Sequence, residues 1–407
     1  MRARRSTRGM TLFALGFRPF FLGAAIWAAA AVPAWLWMLS AGHDPGGSLT
    51  PRAWHVHEMI FGYTGAVIAG FALTAIPNWT GRLPVAGPPL AALFGLWLAG
   101  RVVLVAPWPG FPFAAVIDAA FLFVLAGVAW REIVAGGNWR NLPVCLLITL
   151  IAVANAGFHT AVAAGWDESV AVRVALAMIV MLIGLIGGRI TPSFTRNWMA
   201  KRQPSRRPVP FGRFDGMCLV ALAAALVAWN VAPMAVYAGS GLLCVGGLHL
   251  LRLARWCGWA TTAEPLVLVL HVGYLWLPVS MILLGLSALP GTGIDASSAL
   301  HALTAGLIGT MTLAVMTRAT LGHSGRALTA GPATTAIYGL VVGGAILRVI
   351  ASYLPVDYLA TVGLAGALWS AGFALFVIVY GPLLLFRRPA RSPTWREAVG
   401  VKLPGRR

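Results

Sequence analysis

Histidines placed inside apolar segments are the residues of this sequence best suited to chemistry. Neutral imidazole is a common nitrogen ligand for haem iron, copper and zinc, and imidazoles that converge from several helices form the metal sites of helical bundles. Seven histidines in or beside such segments are therefore candidate ligands for a metal or cofactor: His55, His57, His159, His249, His271, His301 and His323. The competing interpretation, a hydrogen-bonded packing residue, applies to each of them taken singly.

Three polar residues lie one helical turn from a candidate histidine, on the same face of a predicted helix. We expect such residues to orient the imidazoles by hydrogen bonds. The pairs are Glu58 with His55, Asn155 with His159, and Tyr274 with His271. His55 and His57 cannot share one face, because residues two apart in a helix point about 200° apart. Either they have different partners or His55 precedes the helix.

The elements that position these residues are predicted to be membrane-spanning helices. Hydrophobic residues make up 59% of the 407 residues and charged residues only 10%, whereas soluble domains average about 25% charged residues. The apolar runs lack the alternation of barrel strands, so helices must satisfy the backbone in hydrocarbon. We predict an all-α polytopic membrane bundle, a single domain over residues 1–407, with about twelve spans. They lie near 20–40, 57–77, 88–106, 111–131, 142–165, 170–190, 214–233, 236–254, 264–288, 299–318, 334–354 and 357–386.

The net charge of +19 indicates orientation in a membrane rather than nucleic-acid binding. With both termini in the cytoplasm, 26 of the 30 lysines and arginines fall on the cytoplasmic side, in agreement with the positive-inside rule. Three basic segments are predicted there: the N-terminus 1–12, a linker 190–213 that divides the spans six plus six, and the C-terminus 387–407. Their expected partner is the anionic lipid surface, and no nucleic acid is expected.

On this topology the candidate residues fall into two layers. The outer layer contains His55, His57, Glu58, His159 and His301, and the inner layer contains His249, His271 and His323. Four further charged residues lie towards the outer ends of spans: Arg101, Asp118, Arg173 and Arg348. Charges at membrane depth are costly. We therefore expect these four to pair with one another, to bind anionic groups such as haem propionates, or to snorkel to the interface.

Residues 57–88 and 301–332 agree at nine of 32 positions when they are laid over each other without gaps, beginning with His57 and His301. They belong to predicted spans 2 and 10, with span 6 halfway between. This spacing favours three arcs of four helices, by analogy with the main subunits of haem-copper oxidases. Two glycines of the second segment, Gly306 and Gly309, are expected to leave room for a neighbouring helix or a macrocycle.

Several strings of rare residue combinations resemble the NnrS family, in order, over nearly the whole chain. They are LGFRPFF (15–21), WHVHEM (54–59), PNWTGR (77–82), NWRNLP (138–143), GGRITPSFTRNW (187–198), LHVGYLWLP (270–278) and HALTAGLIGTMTLAVMTRATLGHSGR (301–326). The resemblance implies a bacterial inner-membrane protein that contains haem and copper and takes part in the response to nitric oxide and nitrosative stress, often beside denitrification genes. It also implies that six of the histidines are recurrent family positions and the candidate ligands of the cofactors: His55, His57, His159, His271, His301 and His323. All except His323 are candidate metal ligands, and Arg326 joins Glu58, Asn155 and Tyr274 as a supporting residue.

The leading hypothesis is a membrane protein that binds haem b and copper, with nitric oxide or a nitrosyl species as its small ligand. The four scattered cysteines form no CxxCH motif, so covalent attachment of haem is not expected. Enzymatic turnover, sensing and metal delivery are all compatible with this hypothesis. The alternative is a transporter for a metal or a metal–nitrosyl species, which a six-plus-six arrangement of spans also suits. A purely structural partner of an oxidase would leave the histidine layers without a purpose.

Overall fold

The computed structural model describes residues 11–42, 49–105, 110–200, 202 and 207–386. Twelve main helices occupy these ranges, and α2 and α10 each contain a π-helical stretch. The first six are α1 (Phe17–Ala41), α2 (Pro51–Thr80), α3 (Pro88–Val103), α4 (Phe111–Ala135), α5 (Leu142–Ala164) and α6 (Ser169–Met199). The second six are α7 (Arg213–Val231), α8 (Val236–Ala254), α9 (Pro265–Ser287), α10 (Ala296–His323), α11 (Pro332–Ile350) and α12 (Tyr358–Leu385). Short 3-10 turns occupy Leu12–Ala14, Trp139–Asn141, Gly258–Thr261 and Ala351–Tyr353.

The predicted fold class, an all-helical polytopic bundle, is confirmed. Eleven of the helices in the described ranges are long and apolar enough to cross a membrane. The twelfth, α3, is apolar but has only 16 residues, which at 1.5 Å per residue is about 24 Å. It is therefore shorter than the hydrocarbon core, whose thickness is about 30 Å. The arrangement in three arcs of four helices stays a prediction.

Local sequence signals determine where the two central helices begin. The Thr50 side chain accepts a hydrogen bond from the Ala53 amide, and Pro51 follows it at the first helical position. The Asp295 carboxylate accepts from the Ser298 amide at 2.7 Å at the start of α10. Both side chains satisfy amides that lack a partner within the helix. As a result, each of these two helices starts between one and two turns before its candidate ligands.

Helix α6 extends further than the sequence predicted. The predicted span ended near residue 190, and the linker 190–213 began there, but the helix continues through Pro192 to Met199. The extra turns contain Thr195, which is buried against α9, and this packing favours continued helix. Residue 201 and residues 203–206 of the predicted linker lie outside the described residues, as do residues 1–10 of the N-terminal segment and all of 387–407.

Helices α2 and α10 share an interruption in the same register. The α-helical geometry of α2 gives way to π-helix over Glu58–Thr64, directly after His57, and that of α10 over Ala302–Ile308, directly after His301. The internal sequence similarity places these two stretches opposite each other. Both helices also end at a left-handed glycine or close to one, Gly81 and Gly325. π-helical segments are rare and often mark functional sites.

The same two helices form the centre of the bundle. In each, 72% of the membrane-spanning window is buried, whereas the other long helices have between 33% and 61% buried. In a bilayer the lipid-exposed helices tolerate only apolar residues, so polar side chains collect on central helices. The positions of His55, His57 and His301 on α2 and α10 therefore place them in the interior.

Candidate metal centre and histidine cavity

A compact group of metal-ligating atoms lies between α2, α4 and α5. The Asp118 carboxylate oxygen Oδ2 is 3.0 Å from His57 Nε2 and 2.8 Å from His159 Nε2. The three residues are buried, and one ligand atom from each lies within 4.8 Å of the others. We call His57, Asp118 and His159 the metal centre. Two imidazole nitrogens and one carboxylate oxygen are a ligand set that suits a transition-metal ion.

Arg101 of α3 holds the outer oxygens of this group. Its guanidinium donates to Glu58 Oε2 at 2.6 Å and also pairs with Asp118 Oδ1. A Cβ atom at Gly62 would collide with that guanidinium, so glycine is needed one turn after Glu58. The expected pairing of Arg101 with Asp118 is confirmed. Because Arg101 binds Oδ1, the other oxygen of Asp118 remains directed at the two histidines.

The side-chain oxygens around His57 face both nitrogens of its ring. Nδ1 faces Glu58 Oε1 at 3.2 Å, and Nε2 faces Asp118 Oδ2 and Asn155 Oδ1, each at 3.0 Å. All of these oxygens accept hydrogen bonds, since Asn155 Nδ2 donates to Asp118 at 2.9 Å. A neutral imidazole donates through one nitrogen only. A neutral ring can thus donate on one side only, and its other nitrogen would be available to a metal ion.

Two of the predicted supporting pairs form differently. Glu58 was expected to orient His55, but its carboxylate contacts His57, because Arg101 draws it to the opposite side of α2. Asn155 was expected to support His159 directly. Instead, both side chains contact the Asp118 carboxylate, and Asn155 also contacts His57.

A second histidine site, which we call the histidine cavity, lies on the other side of α2. His55 and His301 line it together with residues of α1, α11 and α12. The His55 ring stacks on Trp35, with 4.2 Å between ring centroids and 25° between planes. Arg348 also lines the cavity and donates to the Ser297 hydroxyl at 2.9 Å. The cavity has a volume of about 90 Å³ and is open on one side.

His301 is held in the orientation of a metal ligand. Its Nδ1 lies 2.7 Å from the Ser297 carbonyl oxygen, so Nδ1 carries the proton and donates. The lone pair of Nε2 is then free to bind a ligand, and a backbone carbonyl on the other ring nitrogen is typical of metal-bound histidine. Within the described residues, no hydrogen-bond partner of Nε2 is found, and the ring lines the cavity.

The glycines of α10 serve helix packing rather than a macrocycle. A Cβ atom at Gly306 would meet the Trp276 ring at 2.5 Å, and one at Gly309 would meet Trp369 Nε1 at 2.8 Å. Both faces are therefore filled by tryptophan. The room beside His301 comes instead from the stripe of Thr304, Ala305 and Ile308, which lines the histidine cavity.

The four predicted outer-layer histidines thus separate into two sites. His57 belongs with His159, and His55 belongs with His301. The expectation that His55 and His57 have different partners is confirmed, because α2 lies between the two sites. An interior shared by the equivalent residues His57 and His301 does not form: one faces α4 and α5, and the other faces the cavity.

The predicted inner-layer residues form separate contacts. His271 Nε2 is 2.8 Å from the Thr195 hydroxyl. Tyr274 does not support His271: its hydroxyl lies 3.0 Å from His249 Nδ1 and accepts from Arg252 at 2.7 Å. A buried ion pair between Arg252 and Asp215, 2.9 Å long, completes a polar network that joins α7, α8 and α9. The buried Arg252 side chain thereby links three helices of the second half of the chain.

His323 and Arg326 lie away from both sites. Each is exposed at the far end of α10, and the His323 ring stacks on Phe17 at 5.3 Å. We expect His323→Ala to leave haem and copper content unchanged and to alter stability by no more than about 0.5 kcal/mol. Metal analysis and haem absorbance per folded protein measure this. Loss of haem or copper in this variant would make His323 a candidate ligand again.

In the sequence, Asp118 was one of four charged residues expected to pair with one another, to bind anionic groups or to reach the interface. Its role beside His57 and His159 depends on the packing of α4 against α2 and α5, which no local spacing reveals. A signal was available, however: it is the only acidic residue within the predicted span 111–131. Buried carboxylates in a membrane interior are functional candidates.

Comparison with known families bears on these sites. Residues 11–388 match the sequence profile described as NnrS protein. The chain belongs to the NnrS family. Membership supports a multi-pass membrane protein related to the nitric oxide response, in a family associated with haem and copper. All seven candidate histidines and all three residues of the metal centre fall within the matched range. Comparison with curated proteins gives no match.

Proposed function

We propose that this NnrS-family chain is a haem- and copper-binding protein of the bacterial inner membrane, with both termini in the cytoplasm, that acts in the response to nitric oxide and nitrosative stress. The observation that carries the proposal is the presence of two histidine sites on opposite sides of α2. One is a buried set of three ligand atoms, and the other is an open cavity with an available imidazole nitrogen.

The metal centre fits a copper ion. Its ligand atoms are His57 Nε2, His159 Nε2 and Asp118 Oδ2, and imidazole is a favoured ligand of copper. Buried negative charge also favours a cation, because two carboxylates, Glu58 and Asp118, face a single guanidinium. The same ligand set suits ferrous iron or zinc, so the identity of the ion is part of the test.

The histidine cavity fits a haem through its donor chemistry. His301 Nε2 would bind the iron, and Arg348, which also lines the cavity, would pair with a propionate. Ferrous haem supplies a strong binding site for nitric oxide. The volume of about 90 Å³ is below the range of about 300–1,000 Å³ for ligand pockets, so the proposal rests on the donor groups of the cavity and not on its size. His55, held by Trp35, would face it from α2.

Purified protein provides the direct test. We expect a Soret band that shifts when nitric oxide is added to the reduced protein, and copper that copurifies with the folded chain. Absorption spectra, the pyridine haemochrome assay and metal analysis measure both. Colourless, metal-free protein that moves a metal or metal–nitrosyl species across liposomes would refute the proposal and establish the transporter alternative. Iron or zinc in place of copper would correct the identity of the ion alone.

A further inference from the structure

A second cavity, which we call the apolar cavity, lies deeper in the membrane between α2, α5, α6 and α10. It has a volume of about 90 Å³, and its walls expose only apolar atoms of the described residues, including Val67, Ile148 and Ile186. The one hydroxyl among its lining residues belongs to Thr312. That hydroxyl is fully engaged, since it donates to the backbone of α10 and contacts the Tyr63 hydroxyl at 2.5 Å.

The apolar cavity lies next to the histidine cavity along the two central helices, α2 and α10. On α2, Tyr63 and Thr64 line the histidine cavity, and Val67, one turn later, lines the apolar cavity. On α10, Ile308 and Thr312 follow each other in the same way. Each pair is about one helical turn apart, roughly 5.4 Å. The two cavities are therefore neighbours along α2 and α10, although their other walls differ. Residues of α1, α11 and α12 line the histidine cavity, and residues of α5 and α6 line the apolar cavity.

Tyr63 stands at the boundary between the two cavities. Its buried ring lies edge-on to Trp369 and Phe373, at centroid distances of 5.9 and 5.3 Å. Its hydroxyl reaches across to Thr312, which lines the apolar cavity. Tyr63 therefore lies in the wall between the two cavities.

We propose that the apolar cavity binds small uncharged gas molecules dissolved in the bilayer and passes them to the histidine cavity past Tyr63; the second half of this statement rests on the proposed function. The walls offer no hydrogen bond to water, an ion or a lipid headgroup. The volume is too small for a lipid acyl chain with its full length enclosed. An enclosed apolar cavity of about 150 Å³ stays dry and binds xenon or benzene, and the walls of this smaller, partly open cavity offer the same apolar contacts. Half-buried residues in the wall, Ile186 and Ile190 on α6, provide access from the lipid.

Xenon is the probe that tests the binding site without haem or copper. We expect xenon NMR of the full chain in detergent micelles to show a saturable component above the linear partition of xenon into micelles. Val67→Phe and Ile148→Phe, which place a ring in the cavity, should each abolish that component. Ile378→Phe serves as the matched control, because Ile378 is 70% exposed on α12 and its ring would point into the micelle.

The xenon experiment distinguishes binding in the apolar cavity from binding elsewhere. Loss of the saturable component in both filled variants, with the control unchanged and melting temperatures similar, supports the site. A saturable component that persists in folded Val67→Phe and Ile148→Phe would place xenon elsewhere and overturn the proposal. Absence of the component in the wild type, for example because an acyl chain occupies the space, would overturn it as well.

A separate measurement tests the transfer of gas molecules past Tyr63. In haem-loaded protein, Ile148→Phe should slow the association of nitric oxide several-fold, while the equilibrium affinity changes little, because the filled cavity lies on the route and not at the iron. An unchanged association rate would remove the route and leave the xenon site standing. Failure to bind haem would refute the proposed function, and the xenon experiment would still decide the cavity.

Discussion

Replacing Arg101 with methionine is expected to destabilise the folded protein by about 3–5 kcal/mol, because removal of one partner leaves uncompensated buried charge. Arg101 is 2% exposed and is the guanidinium that faces both Glu58 and Asp118. Without it, two carboxylates would lie beside each other in a space closed to water. Neutralising them by taking up protons would also change the hydrogen bonds of His57. The shift of the unfolding midpoint in mixed SDS micelles, followed by circular dichroism, measures the loss.

Arg173→Met is the matched control for this experiment. Arg173 lies towards the same predicted outer end, is half-buried, and donates to the Ser169 hydroxyl rather than to a buried carboxylate. Its replacement should cost much less. A second variant, Glu58→Gln combined with Arg101→Met, should recover part of the stability, because one of the two unpaired carboxylates is then neutral. Equal effects of Arg101→Met and Arg173→Met would show that the Arg101 ion pairs contribute no more than ordinary packing.

The positions of the helices were predictable because the membrane imposes one dominant rule. Apolar runs of sufficient length must be helical in hydrocarbon, and the runs of this sequence are well separated. The end of α6, which was predicted too early in the sequence, shows that this rule does not account for packing between helices. Residues after 190 include proline, threonine, asparagine and arginine, and they read as a connector. They remain helical because the segment packs against α9, where Thr195 meets His271.

The sequence predicted which residues belong to the sites better than it predicted the partners of those residues. Intramembrane histidines stand out by type alone, and the spacing of His55 and His57 indicated that they have different partners. The partner of Glu58 depended on Arg101, which lies 43 residues away in the sequence. In the same way, Tyr274 contacts Arg252 and His249 of α8 rather than His271 of its own helix. Spacing within one helix predicts the partner of a side chain correctly only where no charged residue of another helix binds that side chain instead.

The π-helical stretches show a further limit of sequence spacing. A register of 3.6 residues per turn assigns Glu58 to the face of His55, but the turn widens directly after His57. Residues after that point are displaced relative to those before it. The equivalent change after His301 lies at the position that the internal similarity pairs with it, but neither π-helical stretch was predicted. That similarity compares residue types, however, and contains no information about the local width of the helix.

His159→Ala and His301→Ala are expected to remove different cofactors. His159 is one of three ligand residues of the metal centre, so its replacement should reduce copper to near background while haem remains. A milder change at the same centre, Asn155→Leu, removes the amide that contacts both His57 and Asp118. Loss of such a supporting residue should weaken copper binding about 10–100-fold. Metal analysis after dialysis against graded chelator concentrations measures both variants.

His301→Ala should show the reverse pattern, with haem lost and copper retained. The Nε2 lone pair that faces the histidine cavity disappears, and the metal centre on the other side of α2 is untouched. His301→Gly provides the sharper experiment, because added imidazole can occupy the vacated space and restore the haem spectrum. Retention of haem in folded His301→Ala would assign His301 to packing through its bond to Ser297. Parallel loss of both cofactors in each variant, with melting temperatures unchanged, would mean that the two sites operate as a single centre.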